Sequence, residues 1–337
     1  MNENRAVNPV HTLPFSVHVL LCLVLINLVP EFLALINAPD SEAAYRSFHA
    51  AHRPLLDAYW RNYVLDPESP PSVEVIQAAL RADRRDLHAL LDSTDLERIA
   101  EEAIARAVDV LGIEQPTDVV LMVGMGAANA GELVIDGRGV AFICLEHFTG
   151  RVNPETYGLG LGPELLPLWI GHELAHTVRY TATGSRSDIS RLVREARGYY
   201  DYWEVGSRAT LRELLVNEGL AVHAAEAVAP GFRASDYFGY PRRLYVRLRE
   251  LEAFLRRASA PDIDRAGLGL RLRYLSGGMS PAARLVAGRV IPERAGYYMG
   301  YRLTEALVAE RGIAAALLAG ADEARDAEER AGGVRTA

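Results

Sequence analysis

Ten residues of the chain, Trp169 to Val178, read WIGHELAHTV and set two histidines four positions apart in an apolar run. On a helix such residues share one face, so His172 and His176 can turn both imidazoles towards a single metal ion. Glu173 stands a fraction of a turn away, close enough to hold a water at that ion. Leu168, Trp169, Ile170, Leu174, Ala175 and Val178 surround the polar triplet, the dry setting that governs solvent access to a metal. The bland alternative is a buried helix with two core histidines and Glu173 in solvent. The pattern HExxH, two ligands and a general base within five residues, weighs against it.

A catalytic zinc takes three protein ligands and keeps a fourth position open. The metzincin completion, HExxHxxGxxH, needs glycine and histidine where this chain has Arg179 and Ala182. A carboxylate di-iron site needs a second ExxH pair, which the chain lacks. The chain does contain Asn217-Glu218-Gly219-Leu220-Ala221, inside an apolar helical run from Leu211 to Val228, and this pattern is similar to the second-helix motif of gluzincins, a resemblance that implies Glu218 as the third zinc ligand. Glu218 follows His176 by 218 − 176 = 42 residues, enough for an excursion and an antiparallel return helix. Gly219 is expected to let that helix approach the histidine helix closely. Asp188, Glu195, Asp201 and Glu204 are weaker fallback ligands, and His223 lies off the Glu218 face.

Around this centre the sequence predicts an α+β chain, mostly helical, with a small mixed or antiparallel sheet just before the HExxH helix. Residues 1–22 form an N-terminal segment and residues 23–320 one domain: a helical lead-in (40–112), the sheet (117–146), the HExxH helix (163–181), the glutamate helix (208–229) and C-terminal helices (240–320). A charged tail (321–337) follows. In the lead-in, Asp40 or Ser41 caps a first helix that breaks at Pro54. Ser72 is expected to cap a second, carrying Val73, Ile76, Leu80, Leu87 and Leu90, and Thr94 with Glu97 a capping box for a third that closes at Gly112. Asp118–Val123 reads as a strand; Glu132–Ile135 and Val140–Leu145 read as a hairpin about Asp136-Gly137. Its edge could pair with an extended peptide and hold a scissile bond over the metal. Glu146 and His147 read as ordinary strand-end polar residues. The glycines at 124, 126 and 131 match no phosphate-binding pattern.

Net charge is −8, which argues against nucleic acid or an anionic membrane as main partner. All 36 basic residues are arginine. Those of the helix after Pro241 alternate with Leu244, Leu248, Leu251 and Leu255, a solvated face. Cys22 and Cys144 stand far apart in apolar runs and form no thiolate pair. The apolar stretch 15–29 is short for a membrane span and lacks a cationic leader, so a buried strand near Leu23–Leu28 and a cytoplasmic protein are expected; a secretory or anchoring segment is the alternative.

HELAH, then NEGLA, then Gly296-Tyr297-Tyr298-Met299-Gly300-Tyr301 near the end resembles a bacterial family of predicted zinc-dependent proteases filed as a domain of unknown function. Asn27 to Leu33 resembles the start of that domain. The resemblance implies a gluzincin-like peptidase: Zn²⁺ on His172, His176 and Glu218, Glu173 as general base, a peptide or protein substrate. Tyr297, ahead of Tyr301 on the same helical face, is the candidate hydroxyl for the oxyanion. Thermolysin-like relatives place an aspartate four residues after the ligand glutamate to orient a histidine; here that position is Val222, so orientation is expected from a carbonyl or from Glu226. A zinc-binding regulatory protein and a hydrolase of non-peptide amides are the rival readings.

Overall fold

The computed structural model describes residues 23–334. Leu23–Asn27 forms β1, followed by α1 (Val29–Ile36), which starts with Pro30 in its first turn, where a missing N–H costs nothing. Residues 15–22 of the apolar stretch lie outside the described residues, and no helix among those described is long and apolar enough to cross a membrane.

The lead-in contains α2 (Ser41–Ala51), capped by the Asp40 carboxylate, and α3 (Arg53–Tyr59), which runs into a π-helical turn at Trp60–Val64. Then come α4 (Pro70–Arg81), α5 (Arg85–Ser93) and α6 (Leu96–Leu111). Two expected helix starts shift. The helix that Ser72 is expected to cap begins at Pro70, with Ser69 at the cap position, and the Ser72 hydroxyl donates to the Pro67 and Ser69 carbonyls inside the first turn. The apolar series Val73 to Leu90 is two helices, broken between Arg81 and Arg85. Asp95, not Thr94, caps α6 by accepting the Arg98 N–H at 3.1 Å, and Glu97 instead accepts from the Asn27 amide at 2.7 Å. Gly112 closes that helix in the left-handed conformation, φ 65°.

The sheet comprises β1, β2 (Thr117–Met122), β3 (Ala130–Ile135) and β4 (Arg138–Cys144) in the order β1-β2-β4-β3. β1 and β4 both run parallel to β2, while β3 and β4 form the expected hairpin. Asp136 and Gly137 both take positive φ, 51° and 78°, as a two-residue turn matched to strand twist requires. β3 is therefore an edge strand. A small ribbon of β5 (Val152–Asn153) and β6 (Gly158–Leu159) follows.

Next come α7 (Leu166–Thr181), α8 (Asp188–Glu195), α9 (Tyr202–Arg208) and α10 (Leu211–Val228). After them lie α11 (Arg242–Ser259), α12 (Leu268–Leu275), a ribbon of β7 (Leu285–Val286) and β8 (Arg289–Val290), α13 (Ala295–Arg311), α14 (Ile313–Leu317) and α15 (Ala321–Val334). α7 and α10 are buried around nearly their whole circumference, as helices apolar on every side must be. α7 packs on the sheet through β3 and β4 and against α6; α10 packs on its far side, and α13 covers α10. The chain is thus α+β, with the HELAH helix sandwiched between a mixed sheet and a helical layer. α15 docks on α13, burying Ala324 and Ala327.

Glycines set the helix spacing, though not at the expected pair. A Cβ on Gly219 would lie 2.1 Å from the Gly300 carbonyl carbon, and one on Gly300 would lie 1.9 Å from the Leu215 oxygen. Gly219 therefore seats α10 on α13, not on the histidine helix. The approach of α7 to α10 depends instead on Gly171, whose added Cβ would meet Val228 at 2.9 Å. A fully buried ion pair also joins α7 to α10: Arg179 donates to Glu213 at 2.7 Å and to the Leu317 and Ala319 carbonyls. Burial pushes the Glu213 carboxyl up and the guanidinium beside it pulls it back.

Candidate metal centre

His172 and His176 lie on the α7 face turned to α10, with ring centroids 5.0 Å apart and planes nearly perpendicular. Their Nε2 atoms stand 3.5 and 3.6 Å from Oε2 of Glu218. Zinc bonds of 2.0–2.2 Å in a tetrahedron put ligand atoms about 3.4 Å apart. The three groups thus fit a zinc ion by spacing and chemistry, and Oε2 of Glu218 is buried without a hydrogen-bond donor.

The electrostatics of the triad favour one shared proton. Burial alone would lower His176, but Glu218, Glu132 and Glu173 raise it to about 9. His172 is lowered, by burial first and then by the charge of His176, despite the Glu218 carboxylate beside it. One carboxylate supports one imidazolium, and the second ring stays neutral. Burial would raise Glu218, yet the two imidazoles hold it well below the usual carboxylate range. Burial, then Glu132 and Glu218, raise Glu173 well above its ordinary value, against the pull of His176 and Arg294.

These groups open onto a cleft of about 880 Å³ lined by His172, Glu173, His176, Glu218, Glu132, Arg294 and Tyr297 among others. The Tyr297 ring stacks on His172 at 6.1 Å, and the Arg294 guanidinium lies 4.3 Å from its centre. Burial, then Glu218, push the Tyr297 hydroxyl well above its usual range, so it is a neutral donor. Tyr301 points elsewhere: it stacks on His223 at 4.1 Å and donates to Glu226 at 3.3 Å. Glu226 is therefore engaged away from the triad, contrary to the expectation that it orients a histidine, and Nδ1 of both His172 and His176 lacks a hydrogen-bond partner. His223 bonds the Tyr301 carbonyl at 3.1 Å. The fallback acids are engaged elsewhere, Asp188, Glu195 and Glu204 with surface arginines and Asp201 as the cap of α9.

Several residues at the cleft carry no sequence signal of their own. Asn217 donates to the Tyr180 hydroxyl at 3.0 Å, and Tyr180 donates to Glu132 at 2.9 Å. Tyr180 also stacks on His176, one turn back on the same helix. The asparagine beside the glutamate thus ties α10 to the edge strand through α7. Arg294 precedes α13 with φ 53°, uncommon for a residue with a side chain, and Tyr240 accepts this strain by donating to its carbonyl at 2.5 Å. His147, read as an ordinary polar residue, is buried in the cleft wall; burial lowers it to about 4, and neither ring nitrogen has a hydrogen-bond partner, Nε2 standing 3.9 Å from Glu146. Glu146 accepts the Gly124 N–H at 2.8 Å and is raised to about 7, by burial first.

No curated protein and no solved structure gives a significant match to the chain. Residues 199–324, which span Glu218, Arg294 and Tyr297 but begin after the HELAH helix, match the family described as predicted Zn-dependent protease (DUF2268), the family its motifs resemble.

Proposed function

We propose that this chain is a zinc-dependent peptidase, with His172, His176 and Glu218 as metal ligands and Glu173 as general base. The convergence of two Nε2 atoms and one carboxylate oxygen at tetrahedral zinc spacing carries the reading, and the family match supports it. Bound there, zinc supplies Lewis acidity, polarising a carbonyl and lowering the pKa of water towards about 7. Glu173, buried beside the triad, takes a proton from the attacking water at its carboxylate and delivers it to the leaving amine. A carboxyl whose proton affinity is raised by burial and by Glu132 is suited to hold that proton between the two steps. The Tyr297 hydroxyl donates to the developing oxyanion, with Arg294 adding positive charge behind it. A cytoplasmic location is supported by Cys144, a free and buried thiol.

The test is metal analysis of the purified protein and its Glu218→Ala variant, together with cleavage of a peptide library with and without chelator. Stoichiometric zinc in the wild type, loss of zinc in the variant and chelator-sensitive cleavage are expected. Full zinc in Glu218→Ala would remove the ligand assignment. Zinc without cleavage of any peptide would leave a metal-binding protein and not a peptidase.

A further inference from the structure

The cleft is lined by a buried carboxylate that the chemistry above does not consume. Glu132, on β3, is 7% exposed and lines the cleft. One of its oxygens, one of Glu173 and a ring nitrogen of His176 lie within 4.8 Å of one another. Its side chain accepts from two hydroxyls, Tyr63 at 2.9 Å and Tyr180 at 2.9 Å. Among the described residues no arginine forms an ion pair with it, and the chain has no lysine. Apart from His176, whose proton it shares with Glu218 and Glu173, so deep a carboxylate has hydroxyl donors alone and no cation paired to it by a direct contact.

The backbone around Glu132 points the same way. Glu132 and Val134 turn their peptide groups to the free edge of β3, and three of those four groups are already engaged. The Tyr63 hydroxyl accepts the Glu132 N–H at 3.1 Å and lies 3.0 Å from its carbonyl oxygen; the Val134 carbonyl accepts the Tyr200 N–H at 3.0 Å. An extended peptide can therefore run beside residues 126–131, which line the cleft, but cannot continue past Glu132 along the sheet. The strand edge is closed where the unpaired carboxylate stands.

Resting on the zinc-peptidase reading, we infer that the cleft takes the amino terminus of a peptide and that Glu132 binds its α-ammonium, so that the enzyme is an aminopeptidase. In a peptide the α-nitrogen lies about 2.5 Å from the carbonyl carbon of its own residue. A group that reads the ammonium while that carbonyl is attacked must stand within a few ångströms of both the general base and the metal ligands. Glu132 does so. Each of its oxygens keeps a lone pair beyond the one given to a tyrosine hydroxyl, enough to accept from an ammonium.

The experiment compares zinc-loaded protein on leucine p-nitroanilide and its N-acetyl derivative, and on one decapeptide with a free or an acetylated amino terminus, followed by mass spectrometry. The free forms are expected to lose residues one at a time from the amino end, and acetylation to lower kcat/KM by about 100-fold, the scale of one charged hydrogen bond. Glu132→Gln should raise KM for the free substrates with zinc content unchanged, and Glu132→Asp should keep part of the preference. Leucinamide should raise the melting temperature of the wild type and not of Glu132→Gln, and N-acetyl-leucinamide of neither. Equal internal cleavage of free and acetylated decapeptide would overturn the inference while leaving the peptidase standing; no hydrolysis of any peptide would remove both. Two zinc ions per chain, falling to one in Glu132→Gln, would also overturn it, because Glu132 would then be a ligand.

Discussion

Zinc binding by this chain should release one proton at neutral pH, and the proton should come from His176. In the metal-free triad His176 is raised to about 9, while His172 is lowered and Glu218 is already ionised. Zinc binds neutral imidazole, so below pH 9 it must displace the His176 proton, and affinity should rise tenfold per pH unit, about 1.4 kcal/mol. Between pH 6.5 and 8.5 the gain is then about 100-fold, or roughly 2.7 kcal/mol, with a plateau above about 9. Competition against a chromophoric chelator gives the slope, and calorimetry in two buffers of different ionisation enthalpy counts the proton directly. Glu218→Gln removes the anion that keeps His176 charged, so zinc should bind more weakly and its affinity should lose most of its dependence on pH between 7 and 8.5. Equal wild-type affinity at pH 6.5 and 8.5, with no proton released, would refute the reasoning, since His176 would already be neutral.

Glu173→Gln should keep stoichiometric zinc and lower kcat by about 100-fold or more, the range of a general base; full activity in that variant would end its assigned role. Tyr297→Phe should lower kcat about 100-fold with little change in KM, as loss of one oxyanion donor does, and an unchanged kcat would return Tyr297 to simple packing. Arg179→Met strands Glu213, 1% exposed, without its partner and should cost about 4 kcal/mol. At about 2.1 cal/mol/K per residue over 337 residues, unfolding entropy is about 0.7 kcal/mol/K, so calorimetry should show a fall of about 6 °C; a change under 1 °C would contradict that account. Gly219→Ala pushes a methyl into the Gly300 backbone and should cost about 3 kcal/mol, read as a shifted urea midpoint; an unchanged midpoint would contradict the close contact.

What was legible in the sequence follows from the range over which each signal acts. The spacing of His172, Glu173 and His176 is local, and helix geometry converts it into a shared face without help from the rest of the chain. The hairpin was legible because Asp136-Gly137 dictates its own backbone. Glu218 was reached through the resemblance of the residues around it to a gluzincin motif, since no local spacing ties it to the histidines. Glu132 and Arg294 gave no such signal: a lone acid in a strand and a lone arginine before a helix become part of a site only once β3 and α13 are packed about α7. Gly219 was identified as a close contact, but its partner was misassigned, because sequence spacing states that a backbone must approach and not which one. The caps expected at Ser72 and Thr94 stand at Ser69 and Asp95, three residues and one residue away, as helix ends often shift when several capping side chains lie together.

The glycine contact also bears on the order in which the protein can be made. Gly219 and Gly300 are separated by 300 − 219 = 81 residues, and their backbones meet directly. On a ribosome, the helix that carries Glu218 can lie against α7 but lacks its seat on α13 until that helix has been synthesised, well after the HELAH helix has left the tunnel. Through that interval Glu218 stands on a helix held from one side only. Final placement of its carboxylate against His172 and His176 is thus tied to near-completion of the chain.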